Sequence, residues 1–474
     1  MAVGAYRSIE KVLSTMAPED VIQLLQDSGL RGRGGAGYPT GRKWQTARAA
    51  PGQPKYVICN ADEGDPGAYM DRSLLEGDPH AILEGMLIGG YAIGASRGVI
   101  YVRSEYPLAM ATLRRAVDDA SQYGFLGDNL FGSDFSFEID LVAGAGAFVS
   151  GEETALIAAL EGRISEPRPR PPFPAHQGLQ GQPTVINNVE TWATIPILVE
   201  QGASWFARFG TDQSRGTKVF SLVGAVARTG LVEVPLGTTL RKIVEEIGGG
   251  VRPGRSLKAV QTGGPSGGCI PAELLDLAVD YETLATHGTI MGSGGLVVMD
   301  DSSCMVDIAR YFLEFTADES CGKCTPCREG LDRMHQILKR ISMGLGTTSD
   351  MEHLLELAEV AQHASLCGLG KSAPNPVLTT FKYFRQELLA HILERRCPAM
   401  ICQALIRHVL LRDDCTGCGA CIAVCPACAI QGAKEVPHEL DGSACIQCGA
   451  CRTVCPVGAI QVRERYETVV PSSS

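Results

Sequence analysis

One cysteine pattern occurs twice near the C-terminus: Cys415-Thr-Gly-Cys-Gly-Ala-Cys-Ile-Ala-Val-Cys-Pro426 and Cys445-Ile-Gln-Cys-Gly-Ala-Cys-Arg-Thr-Val-Cys-Pro456. Both runs have the spacing C-x2-C-x2-C-x3-C-P. Three thiolates on one tight loop hold three irons of a cubane 4Fe–4S cluster, and the cysteine before proline points to the other cluster. A pair of zinc knuckles is the alternative, although zinc does not require this spacing.

The repeat predicts a two-cluster module of the bacterial ferredoxin type. Each cluster takes the first three cysteines of one run and the last cysteine of the other. The predicted ligands are Cys415, Cys418, Cys421 and Cys455 for one cluster, and Cys445, Cys448, Cys451 and Cys425 for the other. Cys428 lies outside the pattern, and we interpret it as a buried structural thiol.

A third group of cysteines precedes this module. Residues 320–330 read Ser-Cys-Gly-Lys-Cys-Thr-Pro-Cys-Arg-Glu-Gly, and Cys367 follows. Apolar stripes indicate three helices nearby: one before Ser320, one with Ser349 as its N-cap, and one from Asn375 to Ile392. We expect a helical bundle with a 4Fe–4S cluster at its end; structural zinc is the alternative. The predicted ligands are Cys321, Cys324, Cys327 and Cys367.

A glycine-rich loop near the N-terminus reads Arg-Gly-Arg-Gly-Gly-Ala-Gly-Tyr-Pro-Thr-Gly-Arg-Lys-Trp over residues 31–44. It matches G-x-G-x-x-G, but a predicted helix precedes it, whereas a dinucleotide fingerprint follows a strand. Exposed backbone N–H groups still suit a phosphate, and Arg33 and Lys43 add positive charge. A structural loop without a ligand is the alternative.

Two predicted strands lead into further loops that could bind a ligand. Residues 55–59 form a buried strand followed by Asn-Ala-Asp-Glu-Gly-Asp-Pro-Gly at 60–67, which suits a metal, ribose or ribityl hydroxyls, or a solvated turn. Residues 137–142 form a strand, followed by a glycine-rich turn and a helix that begins near Glu152 and Glu153. This is the geometry of a nucleotide site, although carboxylates in a first helical turn are also ordinary dipole partners.

Composition excludes several classes of protein. The chain has 474 residues, a formal net charge of −11 and only 6% aromatic residues, which argues against nucleic-acid binding. The apolar stretch 85–96 is too short to cross a bilayer, and the first residues do not form a signal peptide. We therefore expect a cytoplasmic protein with no transmembrane segment, whose cysteines bind metal rather than form disulfides.

Taken together, these segments resemble the flavin-bearing, NADH-oxidising subunit of respiratory complex I and of NAD-linked hydrogenases and formate dehydrogenases. The resemblance covers roughly residues 4–396 and rests on ordered motifs at 31–44, 60–67, 146–154, 171–175, 186–190, 320–330 and 365–370. It implies a multidomain α/β and α+β protein. The expected parts are a Rossmann-like FMN and NAD domain (1–215), a ubiquitin-like β-grasp domain (216–300), a helical bundle with a 4Fe–4S cluster (301–395), a hinge (396–411) and a ferredoxin domain (412–474).

The resemblance also implies a site, carried over position by position. FMN would contact Gly32, Arg33, Gly34, Lys43, Asn60, Asp62, Gly151, Asn187 and Asn188. NAD(H) would contact Glu63, Asp65, Phe148, Glu152, Glu153, Arg170 and Phe173, with Glu63 and Glu153 as catalytic residues. Hydride would pass from the nucleotide to the flavin, and single electrons would leave through the clusters. Asp65 and Glu153 favour NAD over NADP, because they would repel a 2′-phosphate.

The resemblance implies partners as well. The longer hydrogenase-type relatives begin with a thioredoxin-like 2Fe–2S domain, so we expect a separate small subunit to supply it, beside a further catalytic or iron–sulfur subunit. The ferredoxin domain resembles that of electron-bifurcating hydrogenases, which favours bifurcation with ferredoxin as a second partner. A plain NADH dehydrogenase subunit and a flavin-free electron relay are the alternatives. Arg170 stands where complex I relatives carry lysine, which changes reach and geometry but keeps the charge.

The segment between the bundle and the ferredoxin domain contains two further cysteines. Cys397 and Cys402, with His391 and His438, would form a tetrahedral zinc site that fixes or gates the ferredoxin arm. Unpaired thiols at a helix break are the alternative.

Overall fold

A computed structural model describes residues 4–466 as four packed parts. The predicted domains also include residues 1–3 and 467–474, which lie outside the described residues. No helix between residues 4 and 466 is long and apolar enough to cross a membrane. Every cysteine in this range is free of disulfide bonds. Cys428 is exposed, so the expectation of a buried thiol is wrong, because the residue lies in a turn in which its N–H donates to Cys425 O at 3.2 Å.

The first part is a parallel sheet covered by helices. Its strand order is β3-β2-β1-β4. The strands are β1 Lys55–Ala61, β2 Ala95–Val102, β3 Glu138–Ala143 and β4 Thr184–Asn188. The helices are α1 Arg7–Thr15, α2 Pro18–Ser28, α3 Thr40–Ala49, α4 Met70–Gly77, α5 Pro79–Ile93, α6 Pro107–Gln122, α7 Glu153–Leu160, α8 Val189–Gln201 and α9 Ala203–Phe206.

Close helix packing fixes this sheet. Helix α5 is buried almost all round, and Gly85 and Gly89 face Trp192 of α8. A Cβ at Gly85 would lie 2.0 Å from the Trp192 carbonyl oxygen, so only glycine allows this approach.

All four strands run in parallel, so their carboxyl ends meet at one edge of the sheet. The chain adds strands on one side of β1 and then returns to its other side, so the strand order reverses at β1. This is where ligands bind in open α/β sheets.

The second part is a five-stranded mixed sheet in the order β6-β5-β9-β7-β8. Its strands are β5 Thr217–Gly224, β6 Gly230–Pro235, β7 Leu257–Thr262, β8 Gly268–Pro271 and β9 Gly295–Asp300, with α10 at Tyr281–Thr286 and a π-helical segment at Lys242–Ile247. Lys218 of β5 is fully buried and pairs with Glu190 of α8, whose carboxylate also accepts from Val219 N–H at 2.9 Å. This contact joins the second part to the first.

The third part is the predicted helical bundle. Its helices are α11 Met305–Asp318, α12 Thr325–Ser342, α13 Thr348–Ala364, α14 Gly368–Ser372, α15 Asn375–Tyr383 and α16 Arg385–Leu389, followed by a π-helical segment at Ala390–Glu394. The N-cap of α13 is Thr347, not Ser349, because Thr347 forms a capping box with Asp350. The predicted single helix from Asn375 to Ile392 is wrong, since it is interrupted at Phe384.

The fourth part is a small module built around the repeated cysteine runs. It contains β10 Ile406–Leu410, α17 Ala420–Ala423, β11 Ile430–Gln431, β12 Glu439–Leu440, α18 Ala450–Thr453 and β13 Ile460–Glu464. Antiparallel pairs join β10 to β13 and β11 to β12. Strand β10 therefore packs with the module, although the sequence predicts a hinge there. The short strands have too few residues for their pattern to be recognised.

Candidate functional site

The crevice at the carboxyl ends of the strands contains the predicted acidic loop. Asn60 holds this loop against the turn before α7, because its side chain donates to Gly151 O at 2.8 Å and accepts from Asp62 N–H at 3.1 Å. Both carboxylate oxygens of Asp62 are buried without a protein partner. Burial raises the pKa of Asp62 to about 7. A buried acceptor without a donor fits a ligand that brings hydroxyl or N–H groups, as the ribityl chain and ring of FMN do.

Arg103 is a site residue that sequence reasoning missed. It directly follows β2, and its Nη1 atom is buried without a partner, while its Nη2 lies 3.1 Å from Glu105. A Cβ at Gly64 would lie 2.6 Å from Arg103 Nη1 and 2.4 Å from the Phe148 ring, so glycine is needed there. The feature that could have indicated Arg103 in the sequence is its position at the end of a buried parallel strand, where ligands bind.

Glu63, which is predicted to be catalytic, is held by donors of the protein itself. Its buried carboxylate accepts hydrogen bonds from Asp71 N–H at 3.0 Å, Arg72 N–H at 3.1 Å and Tyr106 O–H at 3.1 Å. Burial raises its pKa, and these donors oppose the change. Glu63 therefore anchors the acidic loop on the start of α4.

Lys43 and Glu153 meet across the crevice. Lys43 Nζ lies 2.5 Å from Glu153 Oε1 and donates to Ile186 O at 2.8 Å. Arg170 Nη1 lies 3.9 Å from Glu153 and 3.8 Å from Glu152. The other oxygen of Glu152 caps α7 by accepting from Thr154 N–H at 2.9 Å, as a first-turn dipole partner would. The predicted nucleotide residues Glu153 and Arg170 are thus brought together.

The proline arm presents an exposed aromatic ring beside this charge cluster. Phe173 is 51% exposed, and the Arg170 guanidinium lies 6.0 Å from the centre of its ring. An exposed phenylalanine next to paired charges suits stacking on a heterocycle, at a position where the resemblance implies contact with NAD(H).

Other predicted ligand residues are engaged by the protein itself. The Arg33 guanidinium is buried and donates to the carbonyls of Arg31 and Arg215, both at 2.9 Å, so it does not supply the expected free charge. The Asn188 side chain caps α8 and donates to Asp71 at 2.5 Å. In the amide orientation that its neighbours favour, the Asn187 side chain accepts from Trp44 Nε1–H and donates to Ile186 O, both at 3.0 Å.

The glycine-rich loop is closed from outside by the second part of the protein. Tyr281 O–H donates to Gly32 O at 2.8 Å, and Arg31 pairs with Glu282 at 2.5 Å. A Cβ at Gly34 would lie 3.0 Å from Asn188. The helix α2 before the loop confirms that this is not an ordinary dinucleotide fingerprint.

Asp65 also faces the second part of the protein. Its carboxylate accepts a hydrogen bond from Ser293 O–H, and burial raises its pKa to about 6. A carboxylate held in this contact is less suited to selecting against a 2′-phosphate than the sequence suggested.

The crevice adjoins the cysteine group of the bundle. Phe148 N–H donates to Glu319, the residue after α11, at 3.0 Å, and the Phe148 ring packs edge-on against Phe315 of α11 at 5.5 Å. Burial raises the pKa of Cys327 to about 11, with smaller contributions from the neighbouring Cys324, Cys367 and Cys321. These four predicted ligands are therefore close enough to affect one another electrostatically, and Glu152 also raises the pKa of Cys367.

The two repeated cysteine runs pack against each other. Cys415, Cys418 and Cys421 of the first run line one cavity with Cys455 of the second. In both runs the backbone three residues beyond the proline donates to the last cysteine: Ala429 N–H to Cys425 and Ala459 N–H to Cys455, each at 3.3 Å. Such N–H···S contacts are typical of iron–sulfur sites.

A separate group of potential metal ligands lies where the helical bundle leads into the cysteine module. Cys304, His391, Cys397 and Cys402 are buried, and their ligand atoms all lie within 4.8 Å of one another. His438 is not part of this group, which corrects the prediction: it contacts Cys421, and Cys304 takes its place. The sequence offered no local signal for Cys304, because it precedes α11 and is distant in sequence from the other three residues.

The structure thus places a parallel sheet with a carboxylate-lined crevice beside a four-cysteine group. Family models match along the chain: a Nuo51 FMN-binding domain at residues 25–197, an SLBB domain at 219–270, the NADH-ubiquinone oxidoreductase-F iron–sulfur binding region at 307–391 and a 4Fe–4S dicluster domain at 414–460.

Individual relatives agree with these matches. The NADP-reducing hydrogenase subunit HndC of Solidesulfovibrio fructosivorans is 54% identical over 438 residues, covering 92% of this chain and 89% of the relative. The F 2 subunit of the NADH-quinone oxidoreductase of Rhizobium meliloti is 47% identical over 84% of this chain and 94% of its own length. A crystal structure of an NAD+-reducing [NiFe]-hydrogenase in the air-oxidised state superposes with a TM-score of 0.73 at 40% identity, over 81% of this chain and 65% of that chain.

The chain belongs to the family of FMN-binding, NAD(P)H-oxidising iron–sulfur subunits of complex I and of NAD(P)-reducing hydrogenases. It is an oxidoreductase subunit with FMN and 4Fe–4S clusters, and the matched iron–sulfur families favour clusters over the zinc-knuckle and structural-zinc alternatives. The predicted β-grasp region corresponds to the SLBB domain.

Proposed function

We propose that this chain takes hydride from a nicotinamide nucleotide at FMN in the crevice and sends single electrons through the bundle cluster to the C-terminal clusters. Bound FMN supplies the conversion between two-electron and one-electron chemistry. The observation that carries the proposal is the contact of the 148–152 segment with both the crevice and the bundle.

Different residues of the crevice bind the flavin, bind the nucleotide and position the acidic loop. Asp62, whose two carboxylate oxygens lack protein partners, and Arg103, whose Nη1 lacks one, hold polar groups of the flavin. Glu153, paired with Lys43, contacts the nucleotide and acts as the catalytic carboxylate, while Phe173 stacks on its base. Glu63, predicted to be catalytic, is better supported as a positioning residue for the acidic loop.

The preference between NAD(H) and NADP(H) depends on which carboxylates face the ribose. Asp65 is held by Ser293, so Glu153 is the carboxylate left to disfavour a 2′-phosphate. Arg170 lies near Glu153 and could instead pair with such a phosphate. Because the relative from Solidesulfovibrio fructosivorans is named as NADP-reducing, the preference for NAD stays a prediction.

The partners are proposed from the relatives and from the C-terminal module. A small thioredoxin-like 2Fe–2S subunit and a further catalytic or iron–sulfur subunit complete the complex, and ferredoxin is the partner that the module favours. Electron bifurcation is the interpretation we favour over plain NADH oxidation, and the terminal donor or acceptor is handled on another subunit. A cytoplasmic location stays a prediction from the sequence.

Anaerobic titration of the reconstituted chain tests the proposal. We expect FMN in the extract, and we expect NADH to bleach both the flavin and the iron–sulfur absorbance. Parallel titration with NADPH measures the nucleotide preference. Clusters without flavin, or flavin that neither nucleotide reduces, would instead support the flavin-free relay.

We further propose that Cys304, His391, Cys397 and Cys402 bind one structural zinc ion. Tetrahedral zinc with Zn–S bonds of about 2.3 Å places its sulfurs about 3.8 Å apart, and Cys304 and Cys402 Sγ lie 3.7 Å apart. His391 Nε2 lies 3.4 Å and 3.3 Å from these sulfurs. Its Nδ1 lies 2.7 Å from Glu387 O, which fixes the tautomer that leaves Nε2 free for metal.

A further inference from the structure

The two halves of the ferredoxin module each contain a buried histidine. His408 lies in β10 and His438 directly before β12, at the same spacing before the first cysteine of the run that follows. Both are almost fully buried. The repeat therefore makes them equivalent positions, and a difference between their contacts is a difference between the two halves.

His438 reaches the cysteines of the first run. Its Nδ1 lies 3.3 Å from Cys421 Sγ, and its backbone N–H donates to Cys415 Sγ at 3.5 Å. The ring lines the same cavity as these cysteines. Gly432 makes room for it, since a Cβ there would lie 2.3 Å from the imidazole.

His408 makes no such contact with a sulfur in the described structure. Its Nδ1 and its backbone N–H each lie 2.8 Å from Oε1 of Gln447, the residue before the second cysteine of the other run. The equivalent residue in the first run is Gly417, where a Cβ would lie 2.4 Å from Val436 N. A glutamine in one half and a glycine in the other thus decide whether the histidine reaches sulfur.

Other hydrogen bonds to sulfur are shared by the two halves. Ala429 N–H and Ala459 N–H donate to the last cysteine of each run at the same distance. The histidine contacts are therefore the asymmetric feature. Hydrogen bonds to cluster sulfurs stabilise the more negative, reduced state and so raise the reduction potential.

We propose that His438 is a positioning residue that donates from Nδ1 to Cys421 and makes the cluster of Cys415, Cys418, Cys421 and Cys455 the more easily reduced of the two. The inference rests on the proposed assignment of these cysteines to one cluster. Because Gln447 holds His408 away from sulfur, the second cluster lacks this stabilisation. Electrons entering the module fill the first cluster before the second.

Potentiometric titration of the full reconstituted chain, followed by EPR, tests this proposal. We expect His438→Phe to lower one of the two midpoint potentials of the module and leave the other unchanged. His438→Asn, which places an amide N–H near the position of Nδ1, should restore most of the shift. His408→Phe is the matched control and should move neither potential.

A second variant, Gln447→Gly, tests the other cluster, whose midpoint potential should rise. Gln447 has a left-handed φ of 59°, which glycine adopts freely. Gln447→Gly should release His408 towards Cys451 and raise the second potential. Unchanged or equally shifted potentials in His438→Phe, or no change in Gln447→Gly, would overturn the proposal. Iron content below that of two clusters in the wild-type module would overturn the cluster assignment instead.

Discussion

Lys43 Nζ and Glu153 Oε1 lie 2.5 Å apart across the crevice, joining the helix after the glycine-rich loop to the start of α7. Both side chains are only about a quarter exposed. The pair therefore sets the width of the crevice between the region proposed for FMN and the region proposed for the nucleotide.

Neutralising this pair should weaken the reaction with the nucleotide. Glu153→Gln removes a charge-assisted hydrogen bond worth about 1.5–3 kcal/mol. We expect kcat/KM for NADH to fall by about 10- to 100-fold, with FMN content unchanged. Steady-state kinetics with an artificial acceptor measures this. Glu138→Gln, at an exposed position of β3, is the control, and an equal loss in that variant would refute the assignment.

The buried carboxylate of Asp62 should make stability depend on pH in the flavin-free protein. Its pKa is about 7 when folded and about 3.9 in an unfolded chain. Between these values the folded state holds a proton that the unfolded state has released, so stability falls as pH rises from about 4 to 7. The full effect is at most about 4 kcal/mol.

Asp62→Asn should remove most of this dependence. We expect its thermal midpoint without FMN to exceed that of wild type at pH 8 and to match it near pH 4.5. Asp65, with a pKa of about 6, contributes a smaller slope, which the Asp62→Asn Asp65→Asn double variant should also remove; the raised pKa values of Glu63 and Asp71 leave the remainder. The same midpoint difference between variant and wild type at both pH values would contradict the account.

The buried pair between Lys218 and Glu190 should hold the SLBB domain on the flavin domain. Lys218→Met leaves an uncompensated buried carboxylate, at a cost of about 3–5 kcal/mol. We expect a clear drop in thermal midpoint. Adding Glu190→Gln should recover much of it, because the amide still accepts from Val219 N–H. The exposed Lys242→Met is the control, and no difference between it and Lys218→Met would disprove the role of the pair.

The proposed zinc site predicts a selective loss of metal. Cys304→Ser and Cys402→Ser should each abolish bound zinc, while iron and FMN stay at wild-type levels. Elemental analysis of the purified variants measures this. Cys428→Ser, which changes an exposed thiol outside every proposed site, should keep its zinc. A wild-type chain purified without zinc would rule out the site.

Local patterns in the sequence predicted much of this structure. The cysteine runs specify their clusters because each loop supplies three ligands by itself, and the alternating strands and the glycine turn before α7 follow from local periodicity. Contacts between segments that are distant in the sequence are harder to predict. Cys304 joins His391 only after the bundle folds, and nothing near either residue in sequence indicates this.

The roles of polar residues in loops are also hard to predict from the sequence. Glu63 and Asn188 have the chemistry of ligand residues, but their side chains complete the backbone hydrogen bonds of α4 and α8. A helix start and a ligand compete for the same carboxylates and amides, and sequence alone does not show which one receives them. Arg103 was missed for the opposite reason, since one arginine after a strand is not a motif.

The central claim is that electrons leave the flavin crevice through the bundle cluster. The most direct measurement compares EPR spectra of wild type and Cys367→Ser after anaerobic reduction with NADH. We predict that NADH bleaches FMN in both proteins but reduces the C-terminal clusters only in wild type, while dithionite reduces them in both. C-terminal clusters that NADH still reduces as fast in Cys367→Ser would contradict the account.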